Sequence, residues 1–182
     1  MSTPLVSVLL PTRCRPESLK HSVASLLDRA RKPDRVQICY AVDRDDQETV
    51  QLVTAKAHGP VYVAKQRHGY ANLHEYFNRL VDLATGPRLL LWNDDATMCT
   101  DGWDTIIADH DPLTILDCDN NHTRDMVLFP VVPAAFVTAV GHYAGSPHAD
   151  SWWQDIGRAL GLIREAGIRV HPDRPALPGA TG

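Results

Sequence analysis

Val6-Ser-Val-Leu-Leu-Pro-Thr-Arg-Cys-Arg-Pro-Glu-Ser-Leu19 decides the reading of the whole chain. From Leu5 to Leu10 the residues are apolar and rich in branched side chains, and Pro11 closes the run. Such a run reads as a strand buried on both faces rather than an amphipathic helix. The polar loop Thr12-Arg-Cys-Arg15 follows. Pro16 and Glu17 then open a segment that carries Leu19, Val23, Leu26, Leu27 and Ala30 on one helical face. Proline suits a first helical turn, where its missing N–H has no partner to lose.

Outward from this unit the pattern recurs. Val36-Gln-Ile-Cys-Tyr-Ala-Val42 is strand-like, and Asp43-Arg-Asp-Asp46 leads into a helical stretch with Val50, Val53 and Ala57 on one side. Acidic residues at a helix start are favourable against the backbone dipole. Gly59-Pro60 breaks the chain, Val61-Tyr-Val-Ala64 is a third strand, and Leu73, Phe77, Leu80 and Ala84 fall at helical intervals before Gly86-Pro87. Arg88-Leu-Leu-Leu-Trp92 is a fourth strand. Strand and helix in alternation predict an α/β layer with a mostly parallel sheet flanked by helices.

Beyond Trp103 the pattern weakens. Residues 109–125 are polar and acidic, Val127-Leu-Phe-Pro-Val131 reads as a strand, and residues 150–160 as a helix. Residues 172–182 are rich in proline and glycine and are expected to form a loosely held tail. A single compact domain over residues 1–171 is the expectation.

The composition narrows the function classes. Among 182 residues, 18 Lys+Arg stand against 22 Asp+Glu, a formal net charge of −4. Blanket neutralisation of nucleic-acid phosphates is therefore excluded as a source of binding energy, though a local basic groove is not. The longest apolar stretch, residues 126–140, is shorter than the ~20 residues of a membrane span and contains Pro130 and Pro133. No transmembrane helix is expected. Residues 1–10 run directly into a strand pattern without the features of a secretory signal, so a cytoplasmic location is expected. Cys14, Cys39, Cys99 and Cys118 form no Cys-x-x-Cys pair and read as buried or half-buried free thiols.

In an open parallel sheet, ligands bind beyond the carboxyl ends of the strands. Here those ends carry Thr12-Arg13-Cys14-Arg15, Asp43-Arg44-Asp45-Asp46, Lys65-Gln66-Arg67-His68 and Asn93-Asp94-Asp95. Cations and carboxylates gathered on one edge suit a metal-bound phosphate ester: carboxylates hold the ion and Arg or Lys the remaining phosphate oxygens. Magnesium or manganese fits this oxygen-rich set better than zinc. Acidic residues after strands also serve as turn formers and helix caps, the reading adopted for Asp45 and Asp46; Asp95 is read as functional. Neither G-x-x-x-x-G-K-[ST] nor G-x-G-x-x-G occurs, which removes the main support for a P-loop nucleotidase and a dinucleotide dehydrogenase.

These residues resemble the GT-A-fold nucleotide-sugar glycosyltransferases of the family 2 type. The opening stretch is similar to that family's first strand and loop, Asp43 falls where the family has its nucleotide-binding Asp, and Asn78, Gly86 and Asn93-Asp94-Asp95 follow its spacing from a helix Asn to a Gly to the D-x-D metal motif. The likeness covers roughly the first half of the chain. It implies a Rossmann-like GT-A fold and transfer of a sugar, with inversion, from a nucleoside diphosphate sugar, a UDP-sugar being favoured, to an acceptor hydroxyl. It implies donor binding by Pro11, Thr12, Arg13 and Asp43, with Lys65 or Arg67 toward phosphate and Asn93 and Asp94 beside them. It also implies a manganese or magnesium ion on Asp95 and His171, and Asp150 as catalytic base in preference to Asp155.

Two departures stand out: Asn93 replaces the first carboxylate of D-x-D, and Phe77 replaces an Arg before the helix Asn. If residues 93–95 are extended, Asn93 and Asp95 share one side and Asp94 faces the other. Trp152 and Trp153 diverge on a helix, so at most one is expected to stack on a sugar. The acceptor, be it a sugar, protein side chain, lipid or hydroxylated DNA base, is expected on loops 109–122 and 141–150. The histidines His110 and His122 among Asp109, Asp111, Asp117, Asp119 and Asp125 admit a second metal centre, but a flexible acidic loop is the plainer reading. A nucleotidyltransferase and a non-catalytic sugar-nucleotide binder are the rival classes.

Overall fold

The computed structural model describes residues 3–55, 58–120 and 125–172. Ala57, His122 and the proposed tail from residue 173 onward lie outside the described residues.

In chain order the elements are β1 Val6–Pro11, α1 Pro16–Arg29, β2 Val36–Asp43, α2 Gln47–Ala55, β3 Val61–Ala64, α3 Leu73–Leu83, β4 Arg88–Leu91, β5 Ala96–Met98, α4 Trp103–Asp109, β6 Ile115–Asp119, β7 Pro130–Pro133, α5 Ala134–Val140, α6 Ala149–Leu160 and β8 Ile163–Pro172. The described strands form one sheet in the order β3-β2-β1-β4-β7-β6-β8-β5. Pairing is parallel from β3 through β4 and between β6 and β8, and antiparallel elsewhere. The mostly parallel α/β sheet expected from the strand and helix alternation is therefore present.

β1 is the hinge of this topology, with Val6 in register with Val36 on one side and Arg88 on the other. It is buried on both faces: Val6, Val8 and Leu10 join the core beneath α1, while Leu9 joins Phe77, Leu89, Leu91 and Trp153 in the core beneath α3 and α6. Burying one such side chain contributes about 1.5–3 kcal/mol, so this short strand ties the two cores together. Gly86 allows the α3 to β4 turn to reach β1, since a Cβ there would lie 2.9 Å from the backbone nitrogen of Ser7. Gly157 likewise lets α6 settle on the sheet, where a Cβ would meet Ile163 at 2.6 Å.

The second half departs from expectation. Residues 115–119 are a central strand rather than an acidic acceptor loop. The alternation is present, with Leu116 and Cys118 fully buried on one face, but the intervening carboxylates of Asp117 and Asp119 make the segment look like loop. The strand expected at 127–131 lies at Pro130–Pro133, and α5 starts directly after Pro133. β8 reaches Pro172, the first residue assigned to the tail. Cys14 is exposed, contrary to the expectation of a buried or half-buried thiol, whereas Cys39 and Cys118 are buried.

Asp117 stands opposite Glu165 in the β6 and β8 pairing, and its Oδ1 is buried without a hydrogen-bond partner among the described residues. Burial, followed by the charges of Glu165 and Asp119, pushes its carboxyl up to about 6. An acid raised above its unfolded value costs stability once ionised: the penalty is absent below about pH 4, grows up to about pH 6 and persists above it. Asp117→Asn is therefore expected to stabilise the protein at pH 7–8 by about 1–2 kcal/mol, allowing for solvent screening. Denaturant melts at the two pH values should show no such gain at pH 4.

Candidate functional site

Because β1 through β4 run parallel, the loops after them open on one edge, and the strand order turns at β1 and β4. The crevice there is closed by a hydrogen bond from the Thr12 hydroxyl to Asp94 Oδ2 at 2.7 Å. Residues 93–95 form a turn, with the Ala96 amide donating to the Asn93 carbonyl at 3.2 Å. Two serines of α1 pin this turn: Ser18 donates to the Asp94 carbonyl at 2.8 Å and Ser22 to that of Asn93 at 3.3 Å. Trp92 in turn donates its indole N–H to Ser22 at 2.8 Å.

The turn corrects the orientation expected for Asp94. Strand alternation does not apply in a turn, and Asp94 and Asp95 point to the same partner: Arg15 Nη1 lies 3.2 Å from Asp94 Oδ1 and 3.1 Å from Asp95 Oδ2. Burial, above all, raises the Asp94 carboxyl from its ordinary value, opposed by the Thr12 hydroxyl and the Arg15 charge.

A second cluster adjoins the first through the 12–15 loop. Arg13 donates to Asp43 Oδ2 at 2.8 Å and forks onto Asp45 at 2.6 and 2.8 Å. The hydrogen bond to Asp45 is foremost in holding the guanidinium pKa up, and it holds the Asp45 carboxyl below its usual range. Asp45 is thus half of an ion pair, beyond the turn-forming role read from the sequence. The Tyr76 hydroxyl donates to the other oxygen of Asp43 and accepts from the His68 amide at 3.0 Å. Burial, then the bond to Asp43, pushes the Tyr76 phenol up to about 12. Asp46 does cap α2, accepting from the Thr49 amide at 3.3 Å, and it also receives the Cys14 amide at 2.6 Å. Cys14 has φ +54°, a conformation non-glycine residues rarely adopt, and this bond helps to hold it.

Across the edge, Asn93 and Asp150 line one cavity of about 90 Å³ together with Tyr70, Leu128 and His148. Tyr70 is 72% exposed at this cavity and meets the His148 ring edge-on, with centroids 6.4 Å apart. Asp150 belongs to the first turn of α6, while Asp155 is exposed further along and lines no part of that cavity. The 141–148 loop that leads to Asp150 is held by Asn78, whose side-chain carbonyl accepts from the Tyr143 and Ala144 amides at 2.8 and 3.1 Å and whose amide donates to the Ala144 carbonyl at 3.0 Å. Asn78→Ala is expected to cost about 2–3 kcal/mol by orphaning two amides and a carbonyl. Hydrogen exchange at residues 143 and 144 should quicken before any other segment.

The remaining sequence-derived residues are more dispersed. Pro11 ends β1; Arg67 is exposed, near enough to Asp45 to lower its carboxyl further; and His171 is exposed on β8 opposite Thr97. Trp153 is buried beside Tyr143 and Trp152 packs on His142, so neither lines the Asp150 cavity. Among the described residues no group of three or more His, Cys, Asp or Glu side chains is placed to hold a metal, and His122 lies outside those residues. The convergence of Asp94 and Asp95 on one cationic nitrogen nonetheless fits an ion that takes one or two carboxylates and completes its shell with phosphates and water. Sequence reasoning missed Arg15, Ser18, Ser22 and Tyr76; only Arg15 had a signal, its place in the quoted opening motif.

No protein-family model matches the chain, and no curated protein sequence does. Solved structures do match its fold. TarS of S. aureus, residues 1–349, has a TM-score of 0.69 at 12% identity, over 92% of this chain and 60% of that chain. The same protein in complex with UDP-GlcNAc gives 0.70 at 12% identity, over 97% of this chain and 60% of that chain. The mannosyltransferase PcManGT from Pyrobaculum calidifontis, in complex with GDP-Man and Mn2+, gives 0.68 at 12% identity, over 98% of this chain and 59% of that chain. The chain therefore spans about three fifths of the length of these structures and has the GT-A fold they share. No helix among the described residues is long and apolar enough to cross a membrane.

Proposed function

We propose that the chain is a glycosyltransferase unit that moves a sugar from a nucleoside diphosphate sugar to an acceptor hydroxyl. The observation that carries this reading is the strand-edge constellation of Thr12, Arg13, Arg15, Asp43, Asp94 and Asp95, with Asn93 reaching into the cavity lined by Asp150. The fold neighbours add support, since TarS has been solved with UDP and UDP-GlcNAc and PcManGT with GDP-Man and Mn2+. A UDP-sugar is the favoured donor.

In this reading Asp43, buried and oriented by Arg13 and Tyr76, hydrogen-bonds the nucleoside, with Pro11 and Thr12 forming the floor beneath it. Arg67 reaches toward the phosphates. Asp95, with Asp94 beside it, would hold a manganese or magnesium ion whose remaining positions go to phosphate and water. The ion, when bound, neutralises charge on the departing diphosphate. Arg13, held by its fork onto Asp45 and its bond to Asp43, supplies fixed positive charge to the same leaving group, where electrostatic preorganisation has most effect. Asp150 takes the acceptor proton, and a single base with direct displacement inverts the anomeric centre. Tyr70 and His148 flank the acceptor entrance, which leaves sugar, protein, lipid and hydroxylated base open as acceptors. A cytoplasmic location belongs to the same reading.

A thermal-shift panel of UDP, GDP, dTDP and CDP, each with and without manganese, tests it. One nucleotide should raise the melting temperature by several degrees, more with manganese than without, because a ligand that binds only the folded state stabilises it by mass action. The absence of any shift with every nucleotide would contradict donor binding.

A further inference from the structure

Arg15 makes a contact unlike that of its neighbour Arg13. Arg13 forks onto Asp45 with two nitrogens at 2.6 and 2.8 Å, whereas Arg15 uses one nitrogen, at 3.1 and 3.2 Å, to touch a carboxylate oxygen from each of Asp94 and Asp95. Its side chain is 55% exposed, while those of Asp94 and Asp95 are only 10% and 17% exposed. Two sheltered carboxylates in adjacent positions repel one another, and a cation between them relieves this. An ion pair made by so exposed a guanidinium is weak and readily exchanged. The backbone of Arg15 is meanwhile fixed, because Pro16 opens α1 immediately after it and the Arg15 carbonyl receives the Leu19 amide at 2.9 Å. The anchor is rigid and the guanidinium is free to move.

We infer that Arg15 is a resident counter-ion: it occupies the point where Asp94 and Asp95 converge in the nucleotide-free protein, gives that point up to a divalent ion, and moves to the diphosphate that arrives with it. Arg15 is thus a competitor of the metal before donor binding and a ligand of the donor afterwards. This rests on the sugar-transfer reading for the identity of the donor, but the competition with the ion does not. The charges balance at each stage. Asp94 and Asp95 exchange one positive neighbour for a doubly positive one, and the released guanidinium meets the phosphate charge in the geometry to which its planar fork is suited.

The two roles have opposite signs in one variant. Arg15→Met keeps the length and apolar stem of the side chain while removing the charge. Titrated with Mn2+ alone and followed by the electron paramagnetic resonance of the free ion, it should bind the ion about three- to tenfold more tightly than the native chain. Titrated with UDP at saturating Mn2+, it should bind about tenfold more weakly. Arg15→Lys, which retains the charge, should keep the native Mn2+ affinity and recover part of the UDP affinity. Unchanged or weakened Mn2+ binding by a folded Arg15→Met protein would overturn the competition, and unchanged UDP binding would overturn the transfer to phosphate. If the native chain binds no nucleoside diphosphate even at saturating Mn2+, the donor reading fails, while the Mn2+ titrations still decide whether Arg15 holds the ion's place.

Discussion

Asp150→Asn is expected to slow sugar transfer by about 10²- to 10⁴-fold, the contribution of a positioned general base, while leaving nucleoside diphosphate affinity at its native value. The two expectations separate because Asp150 lines the cavity from the α6 side, whereas the cluster assigned to the donor is built on the loops after β1, β2 and β4. Asparagine keeps the shape and can still accept from the Ser151 amide, as Asp150 does at 2.7 Å, so the local backbone has no reason to move. Steady-state kinetics with the donor nucleotide found by thermal shift, beside direct titration of the same nucleotide, makes the test. A variant with native turnover would pass the base role to the acceptor or another group. Loss of nucleotide affinity would instead mean that Asp150 belongs to donor binding.

Arg88→Met is expected to destabilise the fold by about 3–5 kcal/mol, a large share of the 5–15 kcal/mol typical of a domain. Arg88 is 4% exposed at the start of β4, and its guanidinium donates to the carbonyls of Thr114, His110 and Asp111 at 2.8, 3.1 and 2.5 Å. Those carbonyls belong to the turn between α4 and β6, so one cation shapes the entry to a central strand. Methionine fills the volume but leaves three acceptors unmet. Lysine should rescue little, because an ammonium on a single stem lacks the fork that spans three carbonyls. Burial pulls the Arg88 pKa down from its usual value, yet that value is so high that the side chain stays charged, and the destabilisation should not depend on pH between 5 and 8. Urea unfolding monitored by tryptophan fluorescence measures both variants.

How much of this was legible differs along the chain for physical reasons. β1 to β4 and the helices between them have clean periods and glycine or proline stops, and their order fixes which loops share an edge. The chain from residue 96 onward hides its strands: β6 alternates apolar and acidic residues because Leu116 and Cys118 face the core while Asp117 and Asp119 lie on the other face, and β5 has only three residues. At the site, the residue types at the strand ends were readable, but their mutual contacts were not. Ser18 and Ser22 meet the 93–95 turn from more than seventy residues away, a proximity created by packing of α1 and not by local pattern. The side of Asp94 differs from that expected of an extended segment because residues 93–95 form a turn. Asn78 and Gly86, noted only for their spacing, serve structural ends: one clamps the loop before Asp150 and the other brings β4 against β1.

The central claim is that the carboxyl edge of β1, β2 and β4 is where a nucleoside diphosphate docks. The most direct measurement is a backbone amide NMR titration of the intact chain with UDP and magnesium, the diamagnetic ion, repeated with GDP, dTDP and CDP. Saturable shifts concentrated at residues 11–15, 43–46 and 93–96 are expected from one of the four. Saturation with the shifts gathered at the opposite edge of the sheet, or no saturable response to any of them, would contradict it.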